Sequence, residues 1–139
     1  MPVRSDVLKE LPLFAGLSSK DREFIAGHMD EVGFAQGETL ITEEESNDTF
    51  FVLADGEVDV HVYGKLRQTL RPGSFFGEIS TQRGVLATAT IVTRTPVRAY
   101  VISHEHIGAL SKSPEVRSRL EAAIAERLAH DRLVSSWRE

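Results

Sequence analysis

Residues 48–62, DTFFVLADGEVDVHV, carry two strand signals of different kinds. Phe50, Phe51, Val52 and Leu53 form a continuous apolar run, whereas Val58, Val60 and Val62 alternate with Asp59 and His61. Both patterns are those of strands, and the Asp55-Gly56 dipeptide between them is a turn signal, so the two are expected to pair as a hairpin. Outward from this segment, between Val32 and Ile102, glycines at 33, 37, 56, 64, 73, 77 and 84 punctuate the chain every few residues. Short strands separated by turns at that spacing indicate a β-sandwich or barrel. Further strands are expected at residues 38–41, 66–70, 89–92 and 97–102.

Helical signals flank this region. Leu8, Leu11, Leu13, Phe14 and Leu17 crowd a stretch broken by Pro12 and Gly16, which suits one or two helical turns and a bend. Ser18 is placed to cap a helix, with Asp21 three residues on and an apolar stripe of Phe24, Ile25 and Met29; that helix should end near residues 28–31. Past the strands, Ser103 is expected to cap a short helix through Leu110. Ser113-Pro114-Glu115 then supplies a cap, a first-turn proline and a first-turn acid. Val116, Leu120, Ile124 and Leu128 recur every four residues and define a last helix over residues 114–134 whose narrow stripe must cover something. The expected organisation is one mainly-β domain: helices over 1–31, a barrel over 32–102 and helices over 103–139.

Composition narrows the function. A chain of 139 residues with 41% apolar content can bury a core without staples. Sixteen basic residues against 21 acidic ones, a net charge of −5 with no basic block, argue against sequence-independent binding to nucleic acid or anionic lipid. The absence of cysteine excludes disulfides, thiolate metal sites and thiol catalysis. No apolar run approaches the roughly 20 residues of a membrane span, and residues 1–10 lack the plan of a signal peptide, so a cytoplasmic location is expected. No nucleophile stands beside a base, and a non-enzymatic role follows. His104-Glu105-His106 resembles a metal pair on paper, but residues two apart on a helix point away from each other, and no metal site is expected. Glu43, Glu44 and Glu45 read as a solvated turn, and Trp137 as a helix-end packing residue with a possible second role as a lid.

The stretch richest in chemistry is residues 71–91, RPGSFFGEISTQRGVLATATI. Pro72-Gly73 turns the chain, Phe75 and Phe76 can bury, and Gly77-Glu78 opens a run at 79–82 long enough for one helical turn. The first N–H groups of such a turn lack partners, and a glycine there lets an anionic oxygen approach them. Glu78 is then placed to accept from a sugar hydroxyl. The same residues are also compatible with an ordinary turn.

The order of elements, together with LPLFAGLS (11–18), GETL (37–40), DTFFVLADGEVDV (48–60) and RPGSFFGEIS (71–80), resembles the cyclic nucleotide-binding domain family over nearly the whole chain. The likeness is to its catabolite activator-like and protein kinase A regulatory subunit-like members. It implies an eight-stranded jelly-roll β-barrel with flanking helices. It also implies a phosphate-binding cassette of the form Phe-Gly-Glu-aliphatic-small, here Phe76, Gly77, Glu78, Ile79 and Ser80. In the family the cassette amides bind the cyclic phosphate, the glutamate takes the ribose 2′-hydroxyl and the C-terminal helix closes over the base. Cyclic AMP or cyclic GMP is the implied ligand, with no other cofactor.

Thr88, Ala89 and Thr90 match the family pattern, but its arginine, nine residues after the glutamate, is replaced by Ala87, and Leu86 stands where proline is usual. A charge-assisted hydrogen bond contributes about 1.5–3 kcal/mol, so its loss predicts roughly tenfold to over a hundredfold weaker binding. Arg83 could substitute for the missing cation or be a solvated surface residue. Glu44-Glu45-Ser46-Asn47 replaces what is often a glycine-rich turn and offers a phosphate nothing. Two functions are therefore carried forward. One is a small sensor that binds a cyclic nucleotide weakly and transmits occupancy through the helix at 114–134. The other is a divergent scaffold that has lost the ligand and acts through its terminal helices in dimerisation or binding a partner protein. Direct DNA binding and transport are not expected.

Overall fold

The computed structural model describes residues 2–77 and 86–136, with side chains to residue 126. Among these, eight strands form two antiparallel four-stranded sheets. One sheet has the order β1 (Asp30–Phe34), β8 (Val97–Ser103), β3 (Thr49–Asp55), β6 (Phe75–Phe76). The other runs β2 (Thr39–Ile41), β7 (Thr90–Thr93), β4 (Val58–Val62), β5 (Lys65–Leu70). This is the expected eight-stranded jelly-roll architecture. Helices α1 (Ser5–Leu8) and α2 (Ser19–Ala26), the 3-10 turn η1 (Pro12–Phe14), the 3-10 segment η2 (His104–Lys112) and the long α3 (Pro114–Ser136) flank it.

The expected hairpin between the strands at 50–53 and 58–62 does not form. The Asp55-Gly56 turn is present, but β3 pairs with β6 and β8, whereas β4 pairs with β5 and β7. The two apolar patterns explain why. Phe50 and Val52 enter a cluster under the helices while Phe51 and Leu53 enter the barrel interior, so β3 is covered on both faces and needs a continuous apolar run. In β4, Val58 and Val60 are buried and Asp59 is only half-buried, as in a strand covered on one face. The turn carries the chain from one sheet to the other. Glu57 fixes the crossing: its N–H donates to Thr95 Oγ1 and its carbonyl accepts from Arg94 and Thr95. The true hairpin is β4–β5, closed by Tyr63-Gly64, both with positive φ (51° and 78°), as a two-residue turn requires.

The remaining expected strands are found within one or two residues of their bounds. β1 and β6 are not among the expected strands: β1 mixes acidic and apolar residues without a clear apolar run or alternation, with no residue fully buried, and β6 has only two residues. Leu8, Leu11, Leu13, Phe14 and Leu17 are all buried together with Ile25 and Met29. Phe24, expected on that stripe, is instead 39% exposed, with the Lys112 ammonium 5.0 Å from its ring centre. Helix α2 stops at Ala26, short of the expected 28–31, because Gly27 caps it and the chain must enter β1 at Asp30. Ser103 precedes η2 with extended backbone, but its side chain makes no capping bond.

The stripe of α3 covers the helical side of the molecule. Val116 and Leu120 join the cluster containing Leu13 and Phe14, and Arg119 Nη1 donates to the carbonyls of Leu13 (2.9 Å) and Pro12 (3.2 Å). Leu128 and Trp137 lie outside the residues whose side chains are described. Among the described residues no helix is long and apolar enough to cross a membrane.

Ser113 caps α3: its Oγ accepts from Val116 N–H (3.4 Å) and donates to the Glu115 carboxylate (3.0 Å). Glu115's own backbone N–H and the Ser113 hydroxyl hold that carboxyl below its usual range. A lowered carboxylate pKa stabilises the fold above the unfolded value, and the contribution disappears as pH falls through the folded value. Ser113→Ala should cost about 1 kcal/mol, read as a lower denaturation midpoint with an unchanged slope.

Candidate functional site

The site expected from sequence begins where β6 ends. Phe76 is 2% exposed, and its ring stacks on Phe51 of the neighbouring strand with centroids 4.8 Å apart and planes 14° from parallel. This anchors the chain just before Gly77. Gly77 has φ +91°, a conformation that favours glycine. A Cβ there would lie 2.5 Å from the Thr49 carbonyl oxygen, 3.1 Å from Asn47 Nδ2 and 3.5 Å from Ile41 Cδ1. The backbone at Gly77 thus runs flush against the start of β3, in a left-handed turn that no larger residue could make without displacing β3.

Asn47 builds the wall of this cradle. Its Nδ2 donates to the Thr49 carbonyl (2.8 Å) and its Oδ1 accepts from the Thr49 N–H (3.3 Å). An asparagine bonded to the backbone two residues on is Asx-turn chemistry, so the signal was present in Asn47-Asp48-Thr49, although the sequence reading did not single it out. Glu78, Ile79, Ser80 and Arg83 lie outside the described residues.

Residues 86–90 are described again. Ala87 is 7% exposed and its side chain joins the barrel cluster with Ile41, Phe51 and Phe76. Its position therefore faces inward, towards the interior beside the cradle. Ala89 is half-buried against the same cluster, and Thr88 is exposed. The structure thus brings Phe76, Gly77, Ala87 and Ala89 to one region of the barrel and leaves Thr88 on the surface.

The acidic loop is more than a solvated turn. Glu44 N–H donates to the Ala87 carbonyl (2.8 Å) and Ala87 N–H to the Glu45 carbonyl (2.9 Å), a reciprocal pair that straps residues 44–45 to Ala87. Glu43 N–H donates to Thr90 Oγ1 (3.0 Å), and the Glu43 carboxylate accepts from Tyr63 N–H (2.9 Å), tying the loop to the β4–β5 turn. Glu44 has φ +67°, so it holds the left-handed conformation that a glycine-rich turn would adopt at lower cost. The Glu44 and Glu45 side chains are exposed, and the backbone does the tying. Among the described residues no group of three or more histidines, aspartates and glutamates is arranged to hold a metal ion.

Comparison with known proteins follows the same lines. A family model described as "Cyclic nucleotide-binding domain" matches residues 31–113, which take in the eight described strands apart from Asp30. Among solved structures, cAMP-bound PfPKA-R is similar with a TM-score of 0.77 and 21% identity, over 94% of this chain and 44% of that one. The regulatory subunit of a cAMP-independent protein kinase A from Trypanosoma brucei gives 0.78 and 20%, over 85% and 43%. A triple variant of the Trypanosoma brucei subunit, bound to cAMP in the A site, gives 0.75 and 20%, over 85% and 44%. The chain spans less than half the length of these proteins. At such identities the likeness is one of fold.

The close approach at Gly77 is directly measurable. Gly77→Ala should destabilise by about 2 kcal/mol or more, combining the left-handed φ with the clash on Thr49. Gly37→Ala, at φ +83° but with open space around the added methyl, should cost about 1 kcal/mol. Chemical denaturation of the two variants side by side reads the difference.

Proposed function

The chain belongs to the cyclic nucleotide-binding domain family, and from that premise we propose that it binds a cyclic nucleotide, cyclic AMP or cyclic GMP, weakly, as a small regulatory sensor. The observation that supports this reading is Gly77 held at φ +91° against β3, at the residue where the family's cassette would begin, with Ala87 facing the interior at the position where the family has its arginine. Backbone N–H groups following Gly77 would hold the cyclic phosphate, Glu78 the ribose hydroxyl, and Ile79, Ser80, Thr88 and Ala89 the rest of the pocket. Arg83 is the candidate for partial replacement of the missing charge.

The Trypanosoma brucei proteins support the weight given to position 87. The natural subunit is described as belonging to a cAMP-independent kinase, and the variant bound to cAMP carries a threonine-to-arginine change. A glutamate-to-alanine change in that variant lies seven residues before the new arginine, the separation of Ser80 from Ala87 here.

The role is binding rather than catalysis, in the cytoplasm, with residues 1–139 acting as one unit and no nucleic acid or membrane as partner. Occupancy would be passed on through α3, whose first half already grips η1 by Arg119. A second reading, a scaffold without ligand that dimerises or binds a partner protein through α3, is favoured by one observation: Ala87 is packed among apolar side chains and strapped on both sides by Glu44 and Glu45.

Calorimetric titration of the native chain and of Ala87→Arg with both nucleotides separates the two. The sensor reading expects faint native binding and a gain of about tenfold to a hundredfold in Ala87→Arg. The unliganded variant should be less stable than the native chain, since it buries an unpaired guanidinium, and should recover on adding nucleotide. Silence from both proteins, with the variant folded, rejects the sensor and leaves the scaffold.

A further inference from the structure

His28 and His106, far apart in sequence, meet where the end of α2 packs on η2, their ring centroids 5.6 Å apart and their planes inclined by 52°. His28 Nδ1 lies 2.9 Å from the Phe24 carbonyl oxygen. A carbonyl can only accept, so Nδ1 donates the hydrogen, and in the neutral ring the lone pair is on Nε2. The same arrangement, a ring N–H held by a backbone carbonyl, orients metal-ligating histidines and makes the other nitrogen a better donor. Two imidazoles sharing one tetrahedral ion, with metal–nitrogen distances of about 2.0–2.1 Å, have ring centres about 5 Å apart. The observed centroid separation of 5.6 Å is close to that spacing.

We propose that His28 and His106 form a two-histidine site for a late first-row divalent cation, Zn²⁺, Ni²⁺ or Cu²⁺, the ions that imidazole nitrogen favours. No third protein ligand converges among the described residues, so water completes the coordination and affinity falls well short of a four-ligand structural site. The Lys112 ammonium, over the Phe24 ring that itself touches His28 at 4.8 Å, adds positive charge nearby and weakens the site further. His104 does not contribute: two residues before His106 on a 3-10 segment, it projects from a different side of the axis. The pair the sequence offers, His104 and His106, is thus not the pair the fold assembles. An ion here would staple α2 to η2, and so join the helices before the barrel to the segment that leads from it into α3.

The test uses the full chain without a purification tag, stripped with EDTA, its thermal unfolding followed with and without Zn²⁺ or Ni²⁺. At about tenfold excess over the dissociation constant the midpoint should rise by about 3 °C or more and return on adding EDTA. The rise should vanish in His28→Gln and in His106→Gln and persist in His104→Gln. If either of the first two variants proves unstable, direct calorimetric titration of Ni²⁺ at low temperature, where it remains folded, reads binding instead, with one ion per native chain expected. No rise and no binding in the native chain overturns the proposal, as does a rise that survives His28→Gln or His106→Gln.

Discussion

The antiparallel pairing of β3 with β8 is the constraint on which the rest of the molecule depends. Its register sets Phe50 opposite Ile102 and Val52 opposite Tyr100, all four in the cluster beneath the helices, while Phe51, Leu53 and Ala99 face the barrel interior. A slip of one residue would exchange the two sets and destroy both clusters at once. Because β3 serves two cores, it is also the wall against which β6 pairs and Gly77 lies. The location of the candidate site is therefore inherited from hydrophobic register, before any polar chemistry is considered.

On that scaffold the site has an uneven character. Phe76 stacked on Phe51, Gly77 flush with Thr49 and Asn47 bonded to Thr49 make a rigid approach to the cradle. Ala87 turns a methyl group into the same barrel cluster, and the backbone of Glu44 and Glu45 holds it in place. The first feature preserves shape and the second removes charge. On the proposed reading, what is left for an anion is a backbone-mediated grip, weaker than one assisted by a guanidinium.

Much of this was legible in the sequence, and the exceptions have physical causes. Turn glycines, the Val58–Val62 alternation and the Ser113-Pro114-Glu115 cap identified a helix-flanked barrel because each is a local signal. The turn at Asp55-Gly56 is a local signal and does not reveal that β3 and β4 belong to different sheets. Their different apolar patterns, one continuous and one alternating, already held the answer. Helical spacing alone points Phe24 to the core, yet its face of α2 meets Lys112 at the surface. The strap from residues 44–45 to Ala87 was unreadable, since it is made by backbone groups distant in sequence and no side-chain type announces it. The meeting of His28 with His106 is of the same non-local kind.

The central claim is that the backbone cradle retains affinity for a cyclic phosphodiester without a guanidinium. It is tested most directly by recording amide resonances of the native chain while cyclic AMP or cyclic GMP is added up to several millimolar, with non-cyclic AMP as the control. The account predicts saturable shifts centred on Gly77, Ala87, Thr88 and Ala89 with cyclic nucleotide and much smaller ones with the control. Unmoved resonances at these positions, or equal shifts with both ligands, would contradict it.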